Sequence, residues 1–153
     1  MAIISNAVPF KPNMNSISER SGISLNTMKN YLNLLNDAQL LNLLYSEEKG
    51  INSLGKPEKI YIHNANLMYN LVSTPNEGSI RETFFFSQVS QKNTVFASKQ
   101  VDFIVNNHYS FEVGGKNKKQ TQLKNIPNSY VVKDNIEIGS DKNIPLWLFG
   151  FLY

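Results

Sequence analysis

The spacing of apolar residues changes along the chain, and this change limits the folds that the chain can adopt. Leu25, Met28, Leu32 and Leu35 lie three or four positions apart, which is typical of one buried face of an α-helix. From residue 94 onward, short segments of β-branched and aromatic residues alternate with turn residues, which is typical of strands. We therefore predict an α+β protein with a helical N-terminal part and a mixed α/β second part.

The helical part has the pattern of a helix-turn-helix. Ser16-x-x-Glu19 matches a capping box, in which hydroxyl and carboxylate satisfy backbone amides at a helix start. Gly22 is predicted to end the first helix and Ser24 to cap the second, which runs to about residue 36. Two apolar segments, residues 40–45 and 59–62, are predicted strands that follow it. A helix-turn-helix followed by a hairpin is a winged helix, which we predict over residues 1–65.

The second part is predicted to be a separate domain over residues 66–153. A short helix at 66–71 is followed by a loop at 74–78, and Ser79-x-x-Glu82 resembles a second capping box that starts a phenylalanine-rich helix. A further helix is predicted at 120–125. Strands are predicted at residues 94–98, 101–105, 109–113 and 130–132. The apolar tail at 145–153 is interpreted as core, with a contact between copies of the chain as the alternative.

Composition excludes several kinds of site. The chain of 153 residues has no cysteine, which excludes disulfides, thiol nucleophiles and cysteine-containing zinc sites, and its two histidines argue against a histidine-based metal site. No segment approaches the roughly 18 apolar residues that cross a bilayer, and the first residues lack the features of a signal peptide. We therefore expect a soluble, cytoplasmic protein without a membrane partner. The net charge of +3 permits phosphate contact without indicating it.

One segment matches a nucleotide-binding motif only in part. Residues 50–56 fit the opening of a phosphate-binding P-loop, but Pro57 replaces the Ser or Thr that binds magnesium there. A predicted strand also follows the loop, so no helix N-terminus is available for a phosphate. We predict that this loop does not bind ATP.

The second helix of the helix-turn-helix is where a winged-helix protein contacts DNA. Its predicted outward residues suit hydrogen bonding to bases and phosphates: Asn26, Thr27, Lys29, Asn30 and Asn33. Lys29 is the single cation among them, so electrostatic affinity for DNA is weak. A structural or protein-contacting role for this helix is the alternative.

Two acids lie in neighbouring predicted strands. Asp102 is in the predicted strand at 101–105 and Glu112 in the predicted strand at 109–113. If these strands pair as a hairpin around Asn106-Asn107, both carboxylates can lie on one face. Paired carboxylates can hold a divalent cation, and Glu82 is a candidate third acid. The alternative is that Asp102 and Glu112 are solvent-facing and that Glu82 is only a helix cap.

Seven segments, spread over essentially the whole chain, together carry a resemblance to a known protein family. They are residues 8–13 (VPFKPN), 31–38 (YLNLLNDA), 56–61 (KPEKIY), 81–85 (RETFF), 101–103 (VDF), 111–116 (FEVGGK) and 145–151 (PLWLFGF). Together they resemble the C-terminal region, a domain of unknown function, of bacterial and archaeal AAA-class P-loop ATPases. The resemblance implies an ATPase domain upstream, in agreement with the curtailed first helix at residues 2–4, so we expect the native polypeptide to begin before Met1.

The resemblance also implies a winged helix followed by a restriction-endonuclease-like fold of the PD-(D/E)xK type. Asp102 and Glu112 match the two metal-binding acids of that fold, and Glu82 matches a preceding helix acid. Gly114 stands where Glu-x-Lys requires lysine. Lys116 has the right strand parity, and a bulge at Gly114-Gly115 is needed to bring it back toward Glu112.

We therefore expect the C-terminal portion of an ATPase that acts on or near nucleic acid. If the site is active, Asp102 and Glu112 bind Mg²⁺, Lys116 stabilises charge on the phosphate and Glu82 assists. ATP would bind only to the upstream domain. The alternative is a non-catalytic interaction module that contacts the ATPase domain or a protein partner, and homo-oligomerisation is a further expectation.

Overall fold

The computed structural model describes residues 9–46 and 56–152 and shows a mixed α+β fold. The predicted helix at residues 2–4, the turn at 47–50 and most of the loop at 50–56 lie outside these residues. In chain order the described elements are α1 Met14–Ser21, α2 Leu25–Asp37, β1 Leu41–Ser46, β2 Lys59–Ile62, α3 Ala65–Leu71, α4 Glu77–Val89, β3 Val95–Ala97, β4 Phe103–Val105, β5 Tyr109–Gly114, a 3-10 turn Thr121–Leu123, β6 Ser129–Lys133, β7 Asn143–Pro145 and a 3-10 helix Leu146–Phe151.

The strands form one seven-stranded mixed sheet in the order β2-β1-β3-β4-β5-β6-β7. Strands β1 and β2 form the predicted hairpin, and β4 and β5 form a second antiparallel pair. The other pairings include the parallel contact of β1 with β3, in which Tyr45 lies opposite Phe96. The two predicted domains, whose boundary lies between residues 65 and 66, therefore both contribute strands to this one sheet.

The helix-turn-helix signals at residues 22–24 are confirmed. Gly22 ends α1 with a left-handed backbone (φ 69°), which glycine adopts without a steric penalty. Ser24 caps α2, because its hydroxyl oxygen accepts a hydrogen bond from the Thr27 amide at 3.2 Å.

The predicted capping boxes are wrong. Asn13, not Ser16, caps α1, and its side chain accepts a hydrogen bond from the Ser16 amide at 3.2 Å. Asn76, not Ser79, caps α4, and its side chain accepts from the amides of Gly78 and Ser79 at 2.9 and 3.3 Å. A serine-x-x-acid pattern marks a helix start only where the serine has the extended backbone of an N-cap, and asparagine fills that position equally well.

Strand β2 contributes its two faces to two different parts of the core. Ile60 and Ile62 pack with apolar residues of α1, α2 and α3, whereas Tyr61 packs against Phe86 of α4. Phe85 of α4 also contacts the rings of several sheet residues. Because alternate residues of a strand point to opposite faces, β2 presents Lys59 together with Tyr61 on the side of α4.

The C-terminal segment is core only in part. Leu146 is buried, and Phe149 packs on Phe85 with ring centroids 4.7 Å apart. Trp147, Leu148 and Phe151 are exposed. The prediction that this segment is core is therefore confirmed for Leu146 and Phe149 only. Among the described residues, no helix is long and apolar enough to cross a membrane.

Candidate functional site: a carboxylate and lysine cluster

A tight hairpin brings the two strand acids together. Asn106 and Asn107 both have a φ of 53°, a left-handed backbone that asparagine tolerates. They lie in a three-residue loop, 106–108, because Val105 pairs with Tyr109. The hairpin pairs Phe103 with Phe111, and continuing this register places Asp102 opposite Glu112. Asp102 lies one residue before the start of β4, and the charge of Glu112 acts on it, in agreement with the predicted placement of the two acids near each other.

The environment of the two acids does not match the solvent-facing alternative. The Glu112 side chain is 5% exposed, and Lys118 Nζ lies 2.7 Å from its Oε2. The backbone amide of Val113 donates a hydrogen bond to Oδ2 of Asp102 at 2.9 Å. A buried carboxylate needs such partners, because burying an isolated charge is strongly unfavourable.

The lysine that reaches Glu112 is Lys118, whereas Lys116 is exposed. Strand β5 ends at Gly114, and a turn closed by the Lys118 amide and the Gly115 carbonyl at 2.9 Å folds the chain back. The Lys118 stem then crosses Gly114: a Cβ atom there would lie 2.8 to 2.9 Å from the Cβ, Cγ and Cδ atoms of Lys118. Glycine at 114 therefore leaves the space that the displaced lysine occupies.

Glu82 lies in the interior of α4, five residues after the helix start, so it is not a cap. Its Oε2 atom accepts a hydrogen bond from the Tyr61 hydroxyl at 2.8 Å and contacts Lys59 Nζ at 3.1 Å. Arg81 of the same helix forms an ion pair with Asp134, the residue directly after β6, with Nε and Oδ2 3.0 Å apart. These contacts attach α4 to β2 and to the end of β6, which lie on either side of β4 and β5 in the strand order.

The acids and lysines form one electrostatic cluster. Burial raises the pKa of Asp102; the Val113 hydrogen bond opposes this shift, the charge of Glu112 adds to it, and the charges of Lys118 and Lys59 oppose it. The net result is a raised pKa. At neutral pH the ionised form of Asp102 is therefore less favourable in the fold than in the unfolded chain.

The pKa values of two further groups show that the charges of the site interact. Burial alone would lower the pKa of Lys118, but its hydrogen bond to Glu112 and the charges of Asp102, Glu112 and Glu82 raise it overall. Burial and the neighbouring Glu82 raise the pKa of Tyr61, so its hydroxyl stays protonated and donates.

The donor set suits a hard divalent cation that keeps several water ligands. Three carboxylates and two ammonium groups leave the cluster with an excess of one negative charge. Within residues 9–46 and 56–152, no group of three or more His, Cys, Asp or Glu is arranged to hold a metal. Mg²⁺, however, is commonly bound by one or two carboxylates and completes its shell with water and phosphate oxygens. Asp102 and Glu112 fit this mode of binding.

The predicted nucleic-acid residues lie on α2, on the other part of the molecule. Asn26, Asn30 and Asn33 are exposed, as predicted, whereas Thr27 and Lys29 are half-buried. Thr27 takes part in the cap, with its Oγ1 atom 2.9 Å from Oγ of Ser24. The same helix exposes Tyr31 (49%) and Leu34 (61%), which suit an apolar contact better than a phosphate.

Sequence reasoning missed Lys59, Tyr61 and Lys118. Lys59 and Tyr61 are two apart in a predicted strand, which places them on one face, but nothing local indicates that this face meets α4. Lys118 follows a turn, so strand parity cannot locate it. The glycine pair before it was the available signal that the chain bends there.

Searches of protein-family models, of characterised proteins and of solved structures each find no match to this chain.

Proposed function

We propose that the second half of the chain is a nuclease-like unit that cleaves phosphodiester bonds with a divalent cation, and that the chain is the C-terminal part of an AAA-class ATPase. The observation that carries the first part is the cluster of buried Glu112 with the half-buried Asp102 and Lys118. The second part rests on the resemblance of the seven sequence segments. ATP would then bind to an upstream domain of the same polypeptide.

Each residue of the cluster has a defined task in this proposal. Asp102 and Glu112 hold Mg²⁺, which supplies a Lewis acid and lowers the pKa of bound water when it is present. Lys118, in place of Lys116, directs its ammonium group to the negative charge that develops on the phosphate. Glu82 assists from outside the metal-holding pair, as a further carboxylate whose charge acts on Lys118. With the cation bound, the cluster changes from net negative to net positive, which favours a phosphodiester anion.

A second candidate is an interaction module without catalysis, and the surface of α2 favours it. Tyr31 and Leu34 are exposed large side chains, and Lys29 is the single cation in this helix. Exposed aromatic and aliphatic side chains are typical of protein contacts. In this case α2 contacts the ATPase domain or another protein, and DNA is not the ligand.

Metal binding and DNA cleavage test the first proposal. Mn²⁺ is titrated calorimetrically into the wild type, Asp102→Asn and Asp37→Asn, and cleavage of a linear duplex is followed in Mg²⁺. Asp37, an exposed acid at the end of α2, is the matched control. We expect the wild type and Asp37→Asn to bind and cleave, and Asp102→Asn to lose both activities.

The same samples separate the two candidates. Absence of Mn²⁺ binding by the wild type, or unchanged cleavage by Asp102→Asn, would remove the nuclease proposal. A duplex affinity that is independent of salt would favour the interaction module, because phosphate contacts release counterions and give a negative slope.

A further inference from the structure

Two side chains of the N-terminal hairpin reach the carboxylate cluster of the second half. Lys59 Nζ and the Tyr61 hydroxyl both contact Oε2 of Glu82, at 3.1 and 2.8 Å. Both belong to β2, whose other face packs on the helix-turn-helix. In the described part of the chain no hydrogen bond or ion pair engages the other oxygen of Glu82, Oε1, so these two donors define how the carboxylate is held.

The contact is partly buried, so it has a defined geometry. The side chains of Lys59 and Glu82 are 34% and 21% exposed, and Tyr61 is fully buried among aromatic rings. A tyrosine ring fixed by packing holds its hydroxyl in one place, which orients the acceptor. The charge of Lys59 also acts on Asp102. Lys59 is therefore within the electrostatic range of two acids of the cluster.

We propose that Lys59 is a positioning residue of the carboxylate site: together with Tyr61 it holds Glu82 beside the Asp102 and Glu112 pair. This inference rests on the proposed nuclease function. It also implies that the site is built jointly by the N-terminal hairpin and the second half of the chain. Lys59 itself contacts neither cation nor phosphate in this proposal and acts through Glu82.

The competing explanation is purely structural, in that the ion pair merely attaches β2 to α4. The two explanations predict different responses. Residues that orient a metal-site carboxylate change metal affinity or rate by about 10- to 100-fold when they are removed. A partly exposed ion pair that serves only the fold changes stability slightly and leaves the metal site unaltered.

The experiment uses the whole chain and three lysine variants. Lys59→Met removes the ammonium group, Lys59→Arg keeps the charge, and Lys11→Met removes the ion pair of Lys11 with Glu58 next to the same hairpin, where Nζ and Oε2 are 2.8 Å apart. Mn²⁺ affinity is measured by calorimetry, and single-turnover cleavage of a linear duplex in Mg²⁺ is measured together with duplex affinity without metal.

We expect Lys59→Met to weaken Mn²⁺ binding or slow cleavage by about 10- to 100-fold, with duplex affinity changed less than about twofold. Lys59→Arg should recover most of the loss, and Lys11→Met should behave as the wild type. If Lys59→Met fails to fold, Tyr61→Phe replaces it, because it keeps the buried ring and removes only the hydroxyl donor. A folded Tyr61→Phe is then expected to weaken Mn²⁺ binding.

The outcomes distinguish this inference from the proposed function. A wild type that binds Mn²⁺, combined with a Lys59→Met variant indistinguishable from Lys11→Met, overturns the positioning role and leaves the nuclease proposal intact. A loss that Lys59→Arg does not recover also overturns it. A wild type that neither binds Mn²⁺ nor cleaves DNA overturns the proposed function, and the positioning role with it.

Discussion

Replacing Lys118 by methionine tests the charge balance of the cluster. Methionine keeps most of the unbranched stem but removes the ammonium group that lies 2.7 Å from Oε2 of Glu112. The Glu112 side chain is 5% exposed, so its carboxylate would remain buried without that cation and beside the charge of Asp102. We expect a substantial loss of stability from this single change.

The size of the loss follows from the burial of the two partners. Removing one partner of a buried ion pair costs about 3–5 kcal/mol, because the remaining charge stays buried and loses a compensating group. The Lys118 side chain is 31% exposed, so water screens part of the interaction, and we expect about 2–3 kcal/mol at pH 8. For a chain of this length that loss lowers the melting temperature by roughly 4–12 °C.

The pH dependence has a definite sign. The charge of Lys118 lowers the pKa of Asp102, so removing it raises that pKa further above its unfolded value. A carboxyl with a raised folded-state pKa destabilises the fold when it is ionised, and protonation relieves this effect. Lys118 itself, with a raised pKa, stabilises the fold at all pH values below its unfolded pKa. The deficit of Lys118→Met should therefore shrink from pH 8 to pH 4.

Urea unfolding followed by circular dichroism at both pH values measures these differences. Lys116→Met is the matched control, because Lys116 is an exposed lysine two residues away, and its free energy of unfolding should change by less than about 0.5 kcal/mol. Equal losses for the two variants, or a Lys118→Met deficit that is the same at pH 8 and pH 4, would refute the reasoning.

Three further predictions concern the lysine position, the buried acid and the α2 surface. Lys118→Gly should lower the rate of single-turnover cleavage by about 10²- to 10³-fold. Adding Gly114→Lys should recover part of this rate; if no rate is recovered, a lysine at position 114 cannot replace Lys118. Asp102→Asn should raise the free energy of unfolding at pH 8 by about 0.5–2 kcal/mol, since its burial raises the pKa of the acid. In urea unfolding experiments at lower pH, this gain in the free energy of unfolding should disappear below the folded-state pKa of Asp102. Lys29→Met should reduce the slope of log duplex affinity against log salt by about 0.9, and an unchanged slope excludes a Lys29 phosphate contact.

Local signals in the sequence were sufficient to locate the hairpin that carries the acids. Asn106-Asn107 between two apolar segments indicates a turn, and both residues have a positive φ. The loop of the observed hairpin spans three residues, 106–108. A two-residue loop would place Asp102 opposite Phe111 and direct Glu112 to the other face, so the third loop residue, His108, decides that the two acids share a face. The position of the hairpin was therefore predictable from local signals, whereas its register was not.

The pairings between distant segments were not predictable in this way. Strand β1 pairs in parallel with β3, which begins about fifty positions later, and β5 pairs in parallel with β6. Apolar periodicity shows that a strand has a buried face but not which strand lies next to it. The contact of Lys59 with Glu82 depends on such long-range packing, so it lay beyond the sequence pattern.

The identity of the lysine that contacts Glu112 could not be predicted from the sequence, for a different reason. Lys116 would lie on the same strand face as Glu112 only if the strand continued past Gly114. Strand β5 ends at Gly114, however, and the chain turns back. The stem of Lys118 then runs over Gly114, at the strand position where the nuclease-like pattern has its lysine. The chain thus supplies an ammonium group to Glu112 from four residues further along.

The charge balance links the stability of the fold to the proposed chemistry, and a melting experiment tests that link. Ionised Asp102 is unfavourable in the fold at neutral pH, and the cluster has one negative charge in excess. A divalent cation held by Asp102 and Glu112 would reverse both effects, and binding to the folded state alone adds about 2.7 kcal/mol when the free ion is at 100 times its dissociation constant. Saturating Mn²⁺ should therefore raise the melting temperature of the wild type by roughly 5–11 °C. Asp102→Asn should start from a higher melting temperature without metal and lose the Mn²⁺ shift; a shift that persists in this variant would locate metal binding elsewhere.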